Sequence, residues 1–182
     1  MTKLNIVILA AGMGKRMQSA LPKVLHHLGG KSLLANVLET ARTLSPEKIC
    51  VIYGHGGERV IQALPDSDLV WIEQAEQLGT GHALMQALPA LDKAGSTLVL
   101  FGDVPLIKTE TLRKLVDVVQ DDKCALLTAE LENPYGYGRI IRTPDTGSVV
   151  SIVEEKDANP EQKLIRALCL FPIHFCMIGC RN

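Results

Sequence analysis

The N-terminal stretch from Leu4 to Lys23 constrains the fold of this chain more than any other. Residues 4–9, LNIVIL, form a largely apolar run rich in β-branched side chains, which is typical of a strand buried on both faces. The run opens directly into small residues, two glycines and two cations, AAGMGKR. Backbone N–H groups in such a loop can point at an anion, and the missing side chains let a ligand approach the main chain. We therefore expect a phosphate-binding loop at the end of a buried strand.

Two familiar glycine-rich motifs do not fit this loop. A Rossmann motif, G-x-G-x-x-G, needs a third glycine where Met17 stands. A P-loop needs a glycine in place of Leu9 and a serine or threonine in place of Arg16. The remaining pattern is L-A-A-G-x-G-x-R-M, followed by L-P-K at residues 21–23.

Strand and helix patterns alternate through the first two thirds of the chain. Strands are expected at residues 48–53, 69–72 and 97–101, and helices at 32–44, 58–64, 79–88 and 109–119, with Ser32 and Thr109 as caps. This alternation predicts an α/β fold with a Rossmann-like, mainly parallel sheet and helices on both faces. Residues 124–130, 135–142 and 148–153, with a turn at 144–147, predict a β-hairpin added to the sheet near 124–153.

Composition excludes several classes of protein. A formal net charge of −1 and a pI near 6.5 argue against nucleic-acid binding. No apolar run is long enough for membrane insertion, and the N-terminus does not resemble a signal peptide, so a cytoplasmic protein is expected. The five cysteines, an odd number, do not indicate a disulfide framework and favour a reducing compartment.

Several side chains have both a chemical and a structural interpretation. Asp103 ends an apolar strand, where its carboxylate suits a hard cation such as Mg²⁺, although an aspartate before Val-Pro can equally form a turn. Arg16 and Lys23 could neutralise a triphosphate or remain solvated. Gln74 could pair with both the donor and the acceptor of a uracil edge, and Thr80 could be a helix cap. The histidines, His82 included, are expected to be structural or exposed.

Four further blocks, together with the first loop, carry a family resemblance. They are EQAEQLGTGHA at 73–83, FGDVPL at 101–106, YGYGRI at 135–140 and IVEEKDA at 152–158. In this order they resemble nucleotidyltransferases that join a nucleoside triphosphate to a sugar phosphate. Within these, the chain is most similar to the N-terminal uridylyltransferase domain of the bacterial bifunctional GlmU family.

The resemblance implies an activity and a set of site residues. The activity is the formation of UDP-N-acetylglucosamine and pyrophosphate from UTP and N-acetylglucosamine 1-phosphate, for peptidoglycan and lipopolysaccharide precursors, with Mg²⁺ at Asp103. Arg16 and Lys23 are implied as catalytic residues, and a trimer is expected only of the full-length family enzyme. The implied binding residues for UTP or the UDP-sugar are Leu9, Ala10, Ala11, Gly12, Lys23, Gln74, Gly79, Thr80, Phe101, Gly102, Asp103, Gly138 and Glu154.

The resemblance stops near Ile165. We therefore expect a nucleotidyltransferase domain over residues 1–165, incomplete at its C-terminal end, and an atypical tail over 166–182. The family has a sugar-binding asparagine and a second metal ligand beyond this point, and a foreign origin of the tail is our hypothesis for their absence. Two alternatives remain open, namely a nucleotide-binding remnant without catalysis and a related sugar-phosphate nucleotidyltransferase of other specificity.

Overall fold

The computed structural model describes residues 3–12, 17–54, 56–92, 94–119, 124–165, 167–169 and 178–179, the last two stretches as backbone only. It divides into two compact units. The first comprises Met1–Cys124 with Cys176–Asn182, and the second comprises Ala125–Phe175. Each unit is described by itself below.

A five-stranded sheet forms the centre of the first unit. Its strands are β1 (Leu4–Leu9), β4 (Lys48–Tyr53), β5 (Leu69–Glu73), β6 (Ser96–Phe101) and β11 (Ile178–Gly179). The strand order is β11-β6-β1-β4-β5. Strand β11 pairs with β6 in the antiparallel direction, and the other four strands are parallel to one another. The other elements are β2 (His27–Leu28), β3 (Lys31–Ser32), α1 (Leu33–Arg42), α2 (Glu58–Ala63), α3 (Thr80–Ala87), α4 (Thr109–Asp117) and 3₁₀ turns at Lys23–Leu25 and Leu88–Ala90.

Strand β1 lies at the centre of this sheet and is buried on both faces. Its residues Val7 and Leu9 join a core cluster with Cys50 and Ile52 of β4 and with the apolar side of α3. Ile6 and Ile8 point to the opposite face, because side chains alternate along a strand, and they have no exposed surface. The predicted α/β fold with a buried first strand is therefore confirmed.

The two predicted helix caps have different outcomes. Ser32 caps α1, since its Oγ accepts a hydrogen bond from the backbone N–H of Ala35 at 3.1 Å. Thr109 is not the cap of α4, because Lys108 occupies that position and no side chain caps the helix. The Thr109 hydroxyl instead lies 2.9 Å from the hydroxyl of Thr43. The Thr109 hydroxyl therefore makes a tertiary contact in place of the predicted helix cap.

The second unit contains a separate antiparallel sheet. Its strands are β7 (Thr128–Glu130), β8 (Arg139–Arg142), β9 (Val149–Val153) and β10 (Ala167–Cys169), in the order β7-β10-β8-β9, and a short helix α5 spans Pro160–Lys163. The predicted hairpin is confirmed as β8 and β9. Its assignment to the parallel sheet is wrong, because β8 pairs with β10 on its other side. The predicted strand over 124–130 is reduced to the three residues of β7.

Two cysteines are described in full. Cys50 is a free, buried thiol, and burial raises its pKa. Cys124 is disulfide-bonded, although the five cysteines do not indicate a disulfide framework in the sequence. Among the described helices, none has the length and apolar character needed to cross a membrane.

Candidate active site

The carboxyl ends of β1, β4, β5 and β6 meet at one edge of the parallel sheet, and the segments that follow β1, β5 and β6 line a cavity. Its volume is about 300 Å³, at the lower end of the range for small-molecule sites. Such an edge is where open α/β sheets bind their ligands. The lining residues are Leu9, Ala10, Ala11, Gly12, Lys23, Val24, Gln74, Gln77, Gly79, Thr80, Ala83, Phe101 and Asp103.

The first loop is held between its neighbours by backbone hydrogen bonds. Ala10 N–H donates to the carbonyl of Ile52 at 2.8 Å, which extends the parallel pairing beyond β1. Gly102 N–H donates to the carbonyl of Leu9 at 2.9 Å, so Gly102 adjoins the cavity without lining it. The loop is described as far as Gly12, and the predicted catalytic Arg16 lies outside the described residues.

One end of the cavity carries a pair of opposite charges, which we call the charged end. Lys23 Nζ lies 2.5 Å from Asp103 Oδ2, and their side chains are 39% and 28% exposed. Lys23 begins a 3₁₀ turn that is anchored by the buried side chains of Val24 and Leu25. Asp103 follows β6 directly, so a loop and a strand end from distant parts of the chain bring the two charges together.

The other end carries uncharged polar groups from Gln74, Gly79 and Thr80, and we call it the neutral end. Gln74 is 3% exposed, and its backbone N–H continues the β4–β5 pairing by donating to the carbonyl of Tyr53 at 2.8 Å. Its side-chain Nε2 donates to the carbonyl of Gly79 at 3.0 Å. Gly79 precedes α3 with φ of +103°, a conformation that side chains disfavour. Thr80 is therefore the first residue of α3 and not its cap.

A second glutamine fastens the neutral end to the first loop. Gln77 Nε2 donates to the carbonyl of Ala11 at 2.9 Å. This contact passes over Gly54, where an added Cβ would lie 2.5 Å from Gln77 Nε2 and 2.8 Å from the Ala11 oxygen. Both distances are shorter than van der Waals contact allows, so the absence of a side chain at Gly54 is what permits the link.

The predicted sugar-side residues, Gly138 and Glu154, belong to the second unit. Each is adjacent in sequence to one partner of an ion pair, in which Arg139 Nη2 lies 2.7 Å from Glu155 Oε2. The Arg139 side chain is 2% exposed. The pair joins the start of β8 to the segment after β9, next to Gly138 and Glu154.

The described residues contain no group of three or more histidine, cysteine, aspartate or glutamate side chains that could hold a metal ion. Asp103 is thus the carboxylate that the cavity offers. The Asp103 carboxylate is partly exposed and pairs with the ammonium of Lys23, so its oxygens are accessible to a positively charged group. One carboxylate fits Mg²⁺, which is usually bound through one or two carboxylates with waters and phosphate oxygens completing its shell.

Sequence reasoning missed some contributors to this cavity. Val24 and Ala83 line it as apolar residues with no chemical signal of their own. The sequence indicates Gln77, with Gln74, Gly79 and Thr80, as a polar group for a base, but it does not predict the contact of Gln77 with Ala11, which joins residues distant in the chain. His82, expected to be structural or exposed, has its Nδ1 3.2 Å from Gln74 Nε2. No pattern in the sequence indicates that contact.

Comparison with known proteins agrees with this arrangement. A curated relative from Nitrosomonas eutropha named bifunctional protein GlmU is 63% identical over 169 residues, covering 92% of this chain and 37% of the relative. The chain thus spans a little over a third of that relative's length, and the predicted resemblance is confirmed.

Solved structures share the fold at low sequence identity. A UDP-glucose pyrophosphorylase complexed with UDP-glucose has a TM-score of 0.69 at 17% identity, covering 92% of this chain and 74% of its own. HddC from Yersinia pseudotuberculosis has a TM-score of 0.67 at 24% identity, covering 85% and 70%. The family model for the MobA-like NTP transferase domain matches residues 6–168. The chain therefore belongs to the MobA-like NTP transferase domain family.

Proposed function

We propose that this chain transfers a uridylyl group from UTP to N-acetylglucosamine 1-phosphate, forming UDP-N-acetylglucosamine and pyrophosphate. The observation that supports this proposal is the cavity itself. A loop of small residues, the Lys23–Asp103 pair and the buried amide of Gln74 line this single site. The 63% identical relative named bifunctional protein GlmU supports this choice of substrates. The product would feed peptidoglycan and lipopolysaccharide precursors in the cytoplasm.

In this proposal the charged end receives the triphosphate. Residues 9–12 lack bulky side chains after Leu9, so phosphate oxygens can approach their backbone. The Lys23 ammonium is close enough to Asp103 to share phosphate oxygens with a cation on that carboxylate. Arg16 would add a further positive charge. Mg²⁺ bound at Asp103 would supply neutralisation of the charge on the phosphates.

The reaction demands positioning more than covalent help. A phosphate oxygen of N-acetylglucosamine 1-phosphate attacks the α-phosphorus of UTP in line, and the bond from the α-phosphorus to the bridging oxygen breaks to release pyrophosphate. The negative charge that builds up on the transferred group is stabilised by Lys23. The neutral end holds the uridine, which fixes the α-phosphorus relative to the attacking oxygen. Gly138 and Glu154 would bind the sugar through a backbone group and a carboxylate.

The test is a pyrophosphate-release assay on the full chain with UTP, N-acetylglucosamine 1-phosphate and Mg²⁺, with the sugar nucleotide identified by mass spectrometry. We expect product only when all three are present, and loss of product in Asp103→Asn. Uridine-selective binding without turnover would instead indicate a nucleotide-binding protein. A folded protein that binds neither UTP nor UDP-N-acetylglucosamine would overturn the proposal. The trimer remains a prediction for full-length family enzymes only.

A further inference from the structure

The orientation of the Gln74 side-chain amide is set by two neighbours. Nε2 donates to the carbonyl of Gly79 at 3.0 Å and lies 3.2 Å from Nδ1 of His82. A carbonyl oxygen accepts but cannot donate, so the amide atom that faces Gly79 has to be the nitrogen. The same nitrogen therefore donates its second hydrogen to His82.

This contact also sets the tautomer of His82. A neutral imidazole carries one N–H, and because Nδ1 accepts from Gln74, the hydrogen resides on Nε2. His82 Nε2 lies 3.1 Å from Nε2 of Gln86, one turn further along α3. Two N–H groups cannot donate to each other, so the amide of the exposed Gln86 has to turn over and present its oxygen if it bonds to this N–H. The Gln74 amide, by contrast, is held by the carbonyl of Gly79 and cannot turn in the same way.

One polar atom of Gln74 is left over. An amide nitrogen has two hydrogens, and both are used by Gly79 and His82. Within the described residues no hydrogen bond is made to Gln74 Oε1, and Gln74 lines the cavity. The amide therefore offers the cavity an acceptor and no donor. In this geometry Gln74 would contact a base through its oxygen alone, and not through both groups of its amide.

We propose that His82 is a positioning residue that determines base specificity, because it holds the Gln74 amide with only Oε1 available to the base. Uracil presents an N–H at N3 that can donate to this oxygen, whereas N3 of cytosine is an acceptor and would face it unfavourably. Rejection of a base that leaves such a buried group unpaired is a strong source of selectivity. The inference rests on the proposed function, since it assumes that the cavity binds a uridine nucleotide.

The test compares UTP and CTP binding, with Mg²⁺ present, to the full chain carrying His82→Leu, His82→Asn or no substitution. Leucine offers no acceptor, so the second hydrogen of Gln74 Nε2 is released as a donor for the base while Gly79 still holds the first. We therefore expect the preference for UTP over CTP to fall about tenfold, equivalent to ~1.4 kcal/mol. Asparagine can place its Oδ1 near the position of His82 Nδ1 and should restore most of the preference. Met85→Ala, at an exposed position of α3, is the control, and it should leave the preference unchanged.

The outcomes separate this inference from the proposed function. A wild-type protein that binds UTP and CTP equally would overturn this inference, whereas a folded protein that binds neither nucleotide would overturn the proposed function. A preference that survives in His82→Leu, or equal losses of UTP and CTP affinity there, would overturn the positioning role alone. An independent readout is the ¹⁵N NMR spectrum of the His82 ring without nucleotide. We expect the hydrogen on Nε2, and a neutral ring protonated on Nδ1 would contradict the proposal.

Discussion

The two ends of the cavity differ in burial and in charge. At the charged end, Lys23 and Asp103 are 39% and 28% exposed and pair directly with each other. At the neutral end, Gln74 is 3% exposed, and both hydrogens of its amide are committed to protein acceptors. The first arrangement can exchange partners with solvent and ions, whereas the second cannot rearrange without leaving a buried group unpaired. We infer that the charged end supplies affinity and catalysis and the neutral end supplies selectivity.

The largest effect is expected from Asp103→Asn, which keeps the shape of the side chain and removes its charge. Turnover should fall by about 10³-fold or more, the scale associated with losing a group that stabilises charge in phosphoryl transfer. The preference for UTP over CTP should not change. Pyrophosphate release and nucleotide titration measure the two quantities, with Asp117→Asn, at an exposed helix end, as the control. A changed preference would show that the two ends are not independent.

Lys23→Met should have opposite effects on two ligands. Affinity for UTP and CTP should fall alike by roughly 10- to 100-fold, because a charged hydrogen-bond donor to phosphate is lost. Affinity for Mn²⁺ in the absence of nucleotide should rise, because the ammonium no longer occupies the Asp103 carboxylate. Calorimetry measures the first and electron paramagnetic resonance the second. Lys114→Met, on the exposed side of α4, is the control, and weaker Mn²⁺ binding would contradict this account of the charged end.

Gly54→Ala should separate the neutral end from the first loop. The new Cβ would meet Gln77 Nε2 and the Ala11 carbonyl at 2.5 and 2.8 Å, and overpacking of this kind costs about 1–3 kcal/mol. Thermal or denaturant unfolding measures the loss, and UTP affinity should weaken with it. Gly12→Ala is the matched control for stability alone, since its Cβ would meet nothing within 4 Å. Equal stability of Gly54→Ala and Gly12→Ala would contradict the conclusion that the link between Gln77 and Ala11 requires a glycine at position 54.

The smallest effect is expected at an ion pair outside the cavity. Arg42 contacts Asp66 and Asp68, and its guanidinium holds the pKa of Asp68 below the usual 3.8. A lowered carboxyl pKa stabilises the fold above the unfolded value and loses that contribution as the pH falls through the folded value. Because the pair is exposed, Asp68→Asn should cost at most about 1 kcal/mol at pH 7. Unfolding at pH 7 and below pH 3.8 measures this, and the difference from wild type should shrink in acid.

The parallel sheet was predictable because its strands are continuous apolar runs. Strands β1 and β4 have the boundaries expected from their sequences, since burial on both faces leaves little choice of structure. The second unit was predicted less well. In β9, Val149 and Val150 are 42% and 62% exposed. The apolar pattern of β9 therefore does not specify the strand with which β9 pairs. The hairpin was therefore predicted correctly, but the sheet to which it belongs was not.

The candidate site shows the same division. The first loop and Asp103 were each predicted to follow a buried or apolar strand, and Leu9, Ala10 and Asp103 all line one cavity. The contact between His82 and Gln74 depends on two side-chain conformations and on the start of α3 at Thr80. Such a contact has no periodicity and no motif, so only the structure reveals it. The roles of all these residues remain predictions.

The most direct test of the account is a titration of the wild-type chain and of Gln74→Ala with UTP and with CTP, each in the presence of Mg²⁺. If the neutral end reads the base, the wild-type chain binds UTP at least about tenfold more tightly than CTP, a difference of ~1.4 kcal/mol. In Gln74→Ala the two affinities then become equal, while the charged end still binds both nucleotides. Equal binding of UTP and CTP by the folded wild-type chain, or an undiminished preference in Gln74→Ala, would contradict the division of labour between the two ends.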